Sequence, residues 1–117
     1  MKHSSPWPQA FRSLAIIAGA AFSLSVTAQV NVEEAKNVFK DNDCRKCHSP
    51  DKAKGGPSLK KIAEKYKGKP DAEQKLIKHM TQGPRVKLEN GKEEDHKLLD
   101  SNDPKVLNNV ARWILSH

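Results

Sequence analysis

Two cysteines and six aromatic residues are all that a chain of 117 residues holds. Two cysteines exclude a scaffold of several disulfides. So few large rings leave little material for a generous core. No run of 18 or more uncharged apolar residues follows the N-terminal region, which excludes a multispan membrane protein. No segment alternates convincingly with period two, so a sheet-built domain is not expected. Acid is in the minority, with 14 Asp plus Glu against 21 Lys plus Arg and a formal charge of +7. That balance ordinarily raises nucleic acid, an anionic membrane or an acidic protein as the partner, and the placement of the charges decides among them.

What is present begins with an address. Residues 1–28 carry Lys2 and Arg12 and no acid, then an apolar stretch from Leu14 to Val26, then Val26-Thr27-Ala28 with small residues where a signal peptidase reads. This is the pattern of a Sec-type signal peptide cleaved after Ala28. An uncleaved anchor helix is the competing reading, but the stretch is short for a span, so no stable membrane anchor is expected after cleavage. The expected mature domain, residues 29–117, keeps 89 residues, a charge of +5 and the aromatics Phe39, Tyr66 and Trp113. A chain so short of core material needs something else to fill its middle.

The remainder reads as four short helices joined by polar loops. Asn31 with Glu34 three residues on forms a capping box ahead of Val32, Ala35, Val38 and Phe39 on one face, a helix running to about Lys40. Leu59, Ile62, Ala63 and Tyr66 repeat at helical spacing after Pro57-Ser58, ending near Lys67-Gly68. Asp71 is placed to cap a third helix, with Ala72, Leu76, Ile77 and Met80 inward and Gly83 as its stop. Asp103-Pro104 opens a fourth, burying Leu107, Val110, Ala111 and Ile114. The domain is therefore all-α, with long loops at 41–57 and 84–102 that a small chain tolerates if they wrap something.

Cys44-Arg45-Lys46-Cys47-His48 supplies the object to be wrapped. Two residues between the cysteines put both sulfurs on one side of a turn, where each can add to a vinyl group of one porphyrin, and the next residue offers an imidazole to the iron. A redox dithiol would need a thioredoxin-like βαβ setting. A structural zinc site wants four ligands, and no second cysteine pair exists. A disulfide between residues three apart closes too small a loop to stabilise much. One haem c, bound covalently through Cys44 and Cys47 with His48 as proximal ligand, is the cofactor expected.

From about residue 31 to 117 the chain resembles a small bacterial class I cytochrome c. The residues that carry the likeness are Phe39, Cys44-Arg45-Lys46-Cys47-His48, Gly56-Pro57-Ser58-Leu59 and Ala111-Arg112-Trp113-Ile114-Leu115. The resemblance implies a cytochrome c fold of about four short helices around one haem. It also implies a Pro57 carbonyl that accepts the Nδ1 proton of His48. Trp113, Phe39, Leu59, Ile62, Leu76 and Leu98 or Leu99 are the expected haem-packing shell.

The distal ligand departs from that family pattern. Such cytochromes place a methionine in a loop about seventeen residues before the tryptophan of the last helix, and here that position is His96. The one methionine of the mature chain, Met80, falls on the third helix in phase with its core residues. His48/His96 ligation is the leading expectation. Met80, Lys97 or an open distal position are the alternatives, because His96 stands in Glu93-Glu94-Asp95-His96-Lys97, a run that otherwise reads as a solvated turn. If His96 is the ligand, the neighbouring carboxylates are expected to raise its basicity.

A second imidazole favours ferric iron and lowers the potential where a methionine sulfur would raise it. The expected function is a periplasmic one-electron carrier, free or as the haem subunit of a larger oxidoreductase, and not itself an enzyme. The alternative is a haem protein that binds or senses a small gas through a labile His96. Residues 45–87 hold 13 cations and 4 anions, a local +9, while residues 88–103 hold 2 cations and 6 anions, a local −4. Export and the absence of stacking aromatics on the basic stretch argue against nucleic acid. A redox partner with an acidic docking surface fits better.

Overall fold

The computed structural model describes residues 2–4, 19–21 and 28–117, so most of the apolar stretch Leu14 to Val26 lies outside the described residues. No helix among the described residues is long and apolar enough to cross a membrane. Helix α1 spans Val32–Asp41, a 3-10 turn spans Cys44–Lys46, and α2 and α3 span Leu59–Tyr66 and Ala72–Gln82. Two short strands, β1 (Arg85–Lys87) and β2 (Glu93–Asp95), precede α4 (Pro104–Leu115). The all-α class read from the sequence is the one observed, with little strand.

Capping chemistry sets where three of the helices begin. Asn31 Oδ1 accepts the Glu34 N–H at 3.0 Å, and Glu33 and Glu34 complement the positive end of α1. Ser58 Oγ accepts the Lys61 N–H at 3.1 Å, and Asp103 Oδ1 accepts the Lys105 N–H at 2.8 Å ahead of Pro104. Asp71 does occupy the N-cap position of α3, but its side chain makes no capping bond. Its carboxylate instead meets Lys75 one turn on, at 3.1 Å, and the lysine holds it below the usual carboxylate range. Replacing Asp103 with alanine is expected to lower the unfolding free energy of the holoprotein by about 1 kcal/mol in urea titration; an unchanged midpoint would contradict the assigned cap.

Helix α4 is the hub, packing against each of the other three. It buries Leu107, Val110, Ala111, Trp113 and Ile114 against Ala35 and Phe39 of α1, Leu59 of α2, and Leu76 and Met80 of α3. Polar clamps fix the register of these contacts. Asn109 bonds the Asn31 backbone in both directions, at 2.8 and 2.9 Å, pinning the start of α1 to α4. Arg112 Nε donates to both carboxylate oxygens of Glu73 at 3.1 Å, pinning α3 to α4. Asn42 ties the end of α1 to the segment before α4 by accepting the Asp100 N–H at 2.7 Å.

The segment 84–102 is more ordered than a loop. Strands β1 and β2 pair antiparallel with Val86 opposite Glu94, and Gly91 at φ +84 completes the turn. Asn90-Gly91 is a strong hairpin signal, but strands of three residues, with only Val86 partly buried, leave no alternation long enough to read.

Candidate haem-binding site

A cavity of about 760 Å³ opens between the helices. The turn carrying Cys44, Cys47 and His48 forms one wall, with Gly55, Gly56 and Pro57 beside it. Leu59, Ile62 and Tyr66 of α2 and Leu76, His79 and Met80 of α3 form two more. Val86 and Leu88 of the hairpin, with His96 and Lys97 beyond it, supply the fourth, and Phe39 and Ile114 lie behind.

Several expected shell residues sit elsewhere. Trp113 does not line the cavity; its ring packs edge-on against Phe39, with centroids 5.2 Å apart, so it supports a lining residue from within the core. Leu99 is buried in the core and Leu98 is 54% exposed, and neither lines the cavity. Tyr66, His79, Val86, Leu88 and Ile114 line it in addition to the expected shell. The i, i+4 relation of Ile62 to Tyr66 and the adjacency of His79 to Met80 were the available signals.

The attachment turn is built by its own backbone. Asp43 adopts a left-handed conformation at φ 58, and the His48 and Cys47 N–H groups both donate to the Cys44 carbonyl, at 2.9 and 3.2 Å. Cysteines and histidine therefore share one compact turn. Burial pushes the Cys44 thiol above its ordinary pKa. His48 Nδ1 donates to the Pro57 carbonyl at 2.7 Å. A carbonyl only accepts, so the proton sits on Nδ1, and the neutral ring in that tautomer offers the Nε2 lone pair to a metal. Gly56 makes this contact possible, since a Cβ there would stand 2.8 Å from His48 Cε1.

Across the cavity, His96 is arranged in a similar way. Its Nδ1 donates to the Lys97 carbonyl at 2.9 Å, again leaving Nε2 as the free acceptor. Burial holds the His96 pKa below the ordinary histidine value, with the His48 imidazole adding to the effect. The ring centroids of His48 and His96 lie 6.0 Å apart. Two imidazoles sharing one metal at metal–nitrogen distances of about 2.0–2.1 Å place their centroids roughly 6 Å apart, a spacing this pair matches. His79 stands edge-on to His96 at 4.5 Å, and burial lowers its pKa too. Met80 is 8% exposed and belongs to the core cluster as well as the cavity wall.

The carboxylates beside His96 do not act on its ring. Glu93, Glu94 and Asp95 are exposed, and Asp95 meets Arg85 at 3.4 Å, so the expected boost to ligand basicity finds no contact to carry it. Lys97 instead reaches Asp43 at 3.0 Å, linking the distal segment to the attachment turn across the rim. Lys97 and Lys46 together hold the Asp43 carboxyl below its usual range. The pair is well exposed to solvent, so its contribution to stability is small.

Paired thiols on one turn, an adjacent imidazole with its proton committed to a carbonyl, and a large apolar-walled cavity fit covalent haem. Together with the four-helix fold they define a c-type cytochrome of the electron-carrier class. The cytochrome c family pattern matches residues 32–117, and the chain belongs to that family. Its cofactor is accordingly haem c, bound through Cys44 and Cys47. Among solved structures, the chain is similar to the class 1 cytochrome MtoD from Sideroxydans lithotrophicus ES-1. Identity is 49% and the TM-score 0.72, over 75% of this chain and 97% of the other. Wild-type cytochrome c552 of Nitrosomonas europaea is a more distant likeness, 27% identical with a TM-score of 0.55, over 69% of this chain and 96% of that one. No curated protein sequence matches the chain.

Proposed function

We propose that this chain is a periplasmic one-electron carrier in which His48 and His96 are the two axial ligands of the haem, giving a lower potential than a methionine ligand would. The observation that carries this reading is the His48–His96 separation of 6.0 Å with both Nδ1 protons already committed to backbone carbonyls. The basic, acid-free N-terminal segment ending in Val26-Thr27-Ala28 supports export and cleavage after Ala28.

The haem supplies a one-electron ferric/ferrous couple. The protein's part is to hold that couple rigidly and keep substrates off the iron. The Pro57 carbonyl fixes the His48 ring and strengthens it as a donor, and the Lys97 carbonyl does the same for His96. With His48 and His96 both holding the iron, the haem would supply outer-sphere one-electron transfer and the protein would leave no iron position for a substrate.

The partner is an acidic redox protein. Lys46, Lys61, Lys65, Lys87 and Lys97 border the cavity against Asp43 and Glu94, and Asp43 is already occupied by two of those lysines. Cations therefore prevail at the rim, which favours fast, weak, steered encounter. Electron-transfer rates to an acidic partner are expected to fall as salt rises from 0.01 to 0.15 M, because the Debye length shrinks from about 30 to about 8 Å. A rate independent of salt would contradict the docking surface. Carbon monoxide separates the carrier from the gas-binding alternative: the ferrous spectrum of a carrier stays unchanged for minutes, whereas rapid binding would make His96 a labile latch.

A further inference from the structure

Helix α3 ends on Gly83 in the left-handed region, at φ +57. The close approach there involves the residue assigned to the iron. A Cβ on Gly83 would stand 2.7 Å from the His96 carbonyl oxygen and 2.9 Å from Leu98 Cδ2. The distal segment is thus seated directly on the end of α3. Hydrogen bonds hold it there from both sides: the His96 N–H donates to the Pro84 carbonyl at 2.9 Å, and the Leu99 N–H donates to the Met80 carbonyl at 2.8 Å. The hairpin 85–95 is a closed excursion between these anchors, and its Glu89 N–H reaches the Gly55 carbonyl beside the attachment turn at 3.1 Å.

We propose that Gly83 is a positioning residue for the distal ligand: the missing side chain lets the His96 backbone rest against the end of α3, which sets how far the imidazole reaches into the cavity. The inference rests on the reading of His96 as ligand. A Cβ at 2.7 Å from a backbone oxygen is relieved only by moving that backbone, and an imidazole carried outward is a weaker competitor for iron. Backbone strain alone does not have this effect. Gly68 supplies the matched control, with φ +74 and nothing within 4 Å of a Cβ.

The test compares the haem-loaded variants Gly83→Ala, Gly83→Asn and Gly68→Ala. Asparagine tolerates the left-handed conformation but still carries the Cβ, so it isolates the contact from the strain. Both Gly83 variants are expected to show a high-spin ferric component and carbon monoxide association to the ferrous protein at least about tenfold faster than the parent, the lower end of the effect of losing a contact that supports a metal ligand. Gly68→Ala is expected to melt lower with the parental spectrum and parental carbon monoxide kinetics. Parental spectra and kinetics in both Gly83 variants, with lowered melting temperatures, would reduce Gly83 to a helix stop and overturn the proposal. Failure of the ligand reading itself shows separately, as a His96→Ala protein whose ferric spectrum does not change.

Discussion

Replacing Cys44 and Cys47 together with serine is expected to leave the chain without covalent haem and without a cooperative fold. Among the described residues, only Leu59 and Val110 are large side chains below 2% exposure, and a cavity of about 760 Å³ opens between the helices. An engineered apolar cavity of about 150 Å³ already stays dry at a measurable cost. A space several times larger, walled by Phe39, Leu59, Ile62 and Leu76, either fills with water against those side chains or collapses and breaks the seats of α2 and α3 on α4. The double variant is expected to give no haem stain on a denaturing gel, and a thermal scan of its helical circular dichroism should show no sigmoidal transition. A cooperative transition in the haem-free variant would show that the polypeptide core suffices.

The second large effect concerns the far side of the iron. Changing His96 to methionine is expected to raise the reduction potential by at least about 60 mV, equal to one decade in the ratio of ligand affinities for the two oxidation states. His96→Ala has no side chain to offer, and its ferric spectrum is expected to turn from low-spin to predominantly high-spin. The direction follows from ligand softness: thioether sulfur prefers ferrous iron and a neutral imidazole stabilises ferric iron relative to it. Redox titration of the methionine variant beside the parent reads the shift directly. A lower potential, or none outside error, would remove His96 from the iron.

The parts of this molecule that follow local rules were the parts its sequence displayed. Asn31, Ser58 and Asp103 each place a side-chain acceptor ahead of an apolar stripe with helical spacing, and each helix begins where that chemistry puts it. Asp71 matches the same rule in position but not in mechanism: its backbone, at φ −102 and ψ 16, lacks the extended conformation of the other three caps, and its carboxylate meets Lys75 one turn away. The attachment turn was legible because two thiols and an imidazole at that spacing have few other uses.

What stayed hidden depends on contacts far apart in the chain. Trp113 looked like a haem-facing ring, yet rotation about α4 turns it onto Phe39. His79 reads from sequence as an ordinary helical residue, and only the return of the chain at His96 brings the two rings to 4.5 Å. Gly83 reads as a helix stop from its position alone, whereas its closeness to the His96 carbonyl depends on how the hairpin closes. The charged run at 93–95 suggested an electrostatic role toward His96, but strand geometry points Asp95 at Arg85, and the His96 ring finds a backbone carbonyl instead.

The proposed pairing of His48 and His96 on the iron would decide the potential, the closure of the iron and the carrier function together. The ferric absorption spectrum of the unmodified protein, extended into the near infrared at neutral pH, tests it most directly. The expected spectrum is six-coordinate low-spin with no methionine-to-iron charge-transfer band. A clear band of that kind would make Met80 the distal ligand and contradict the account.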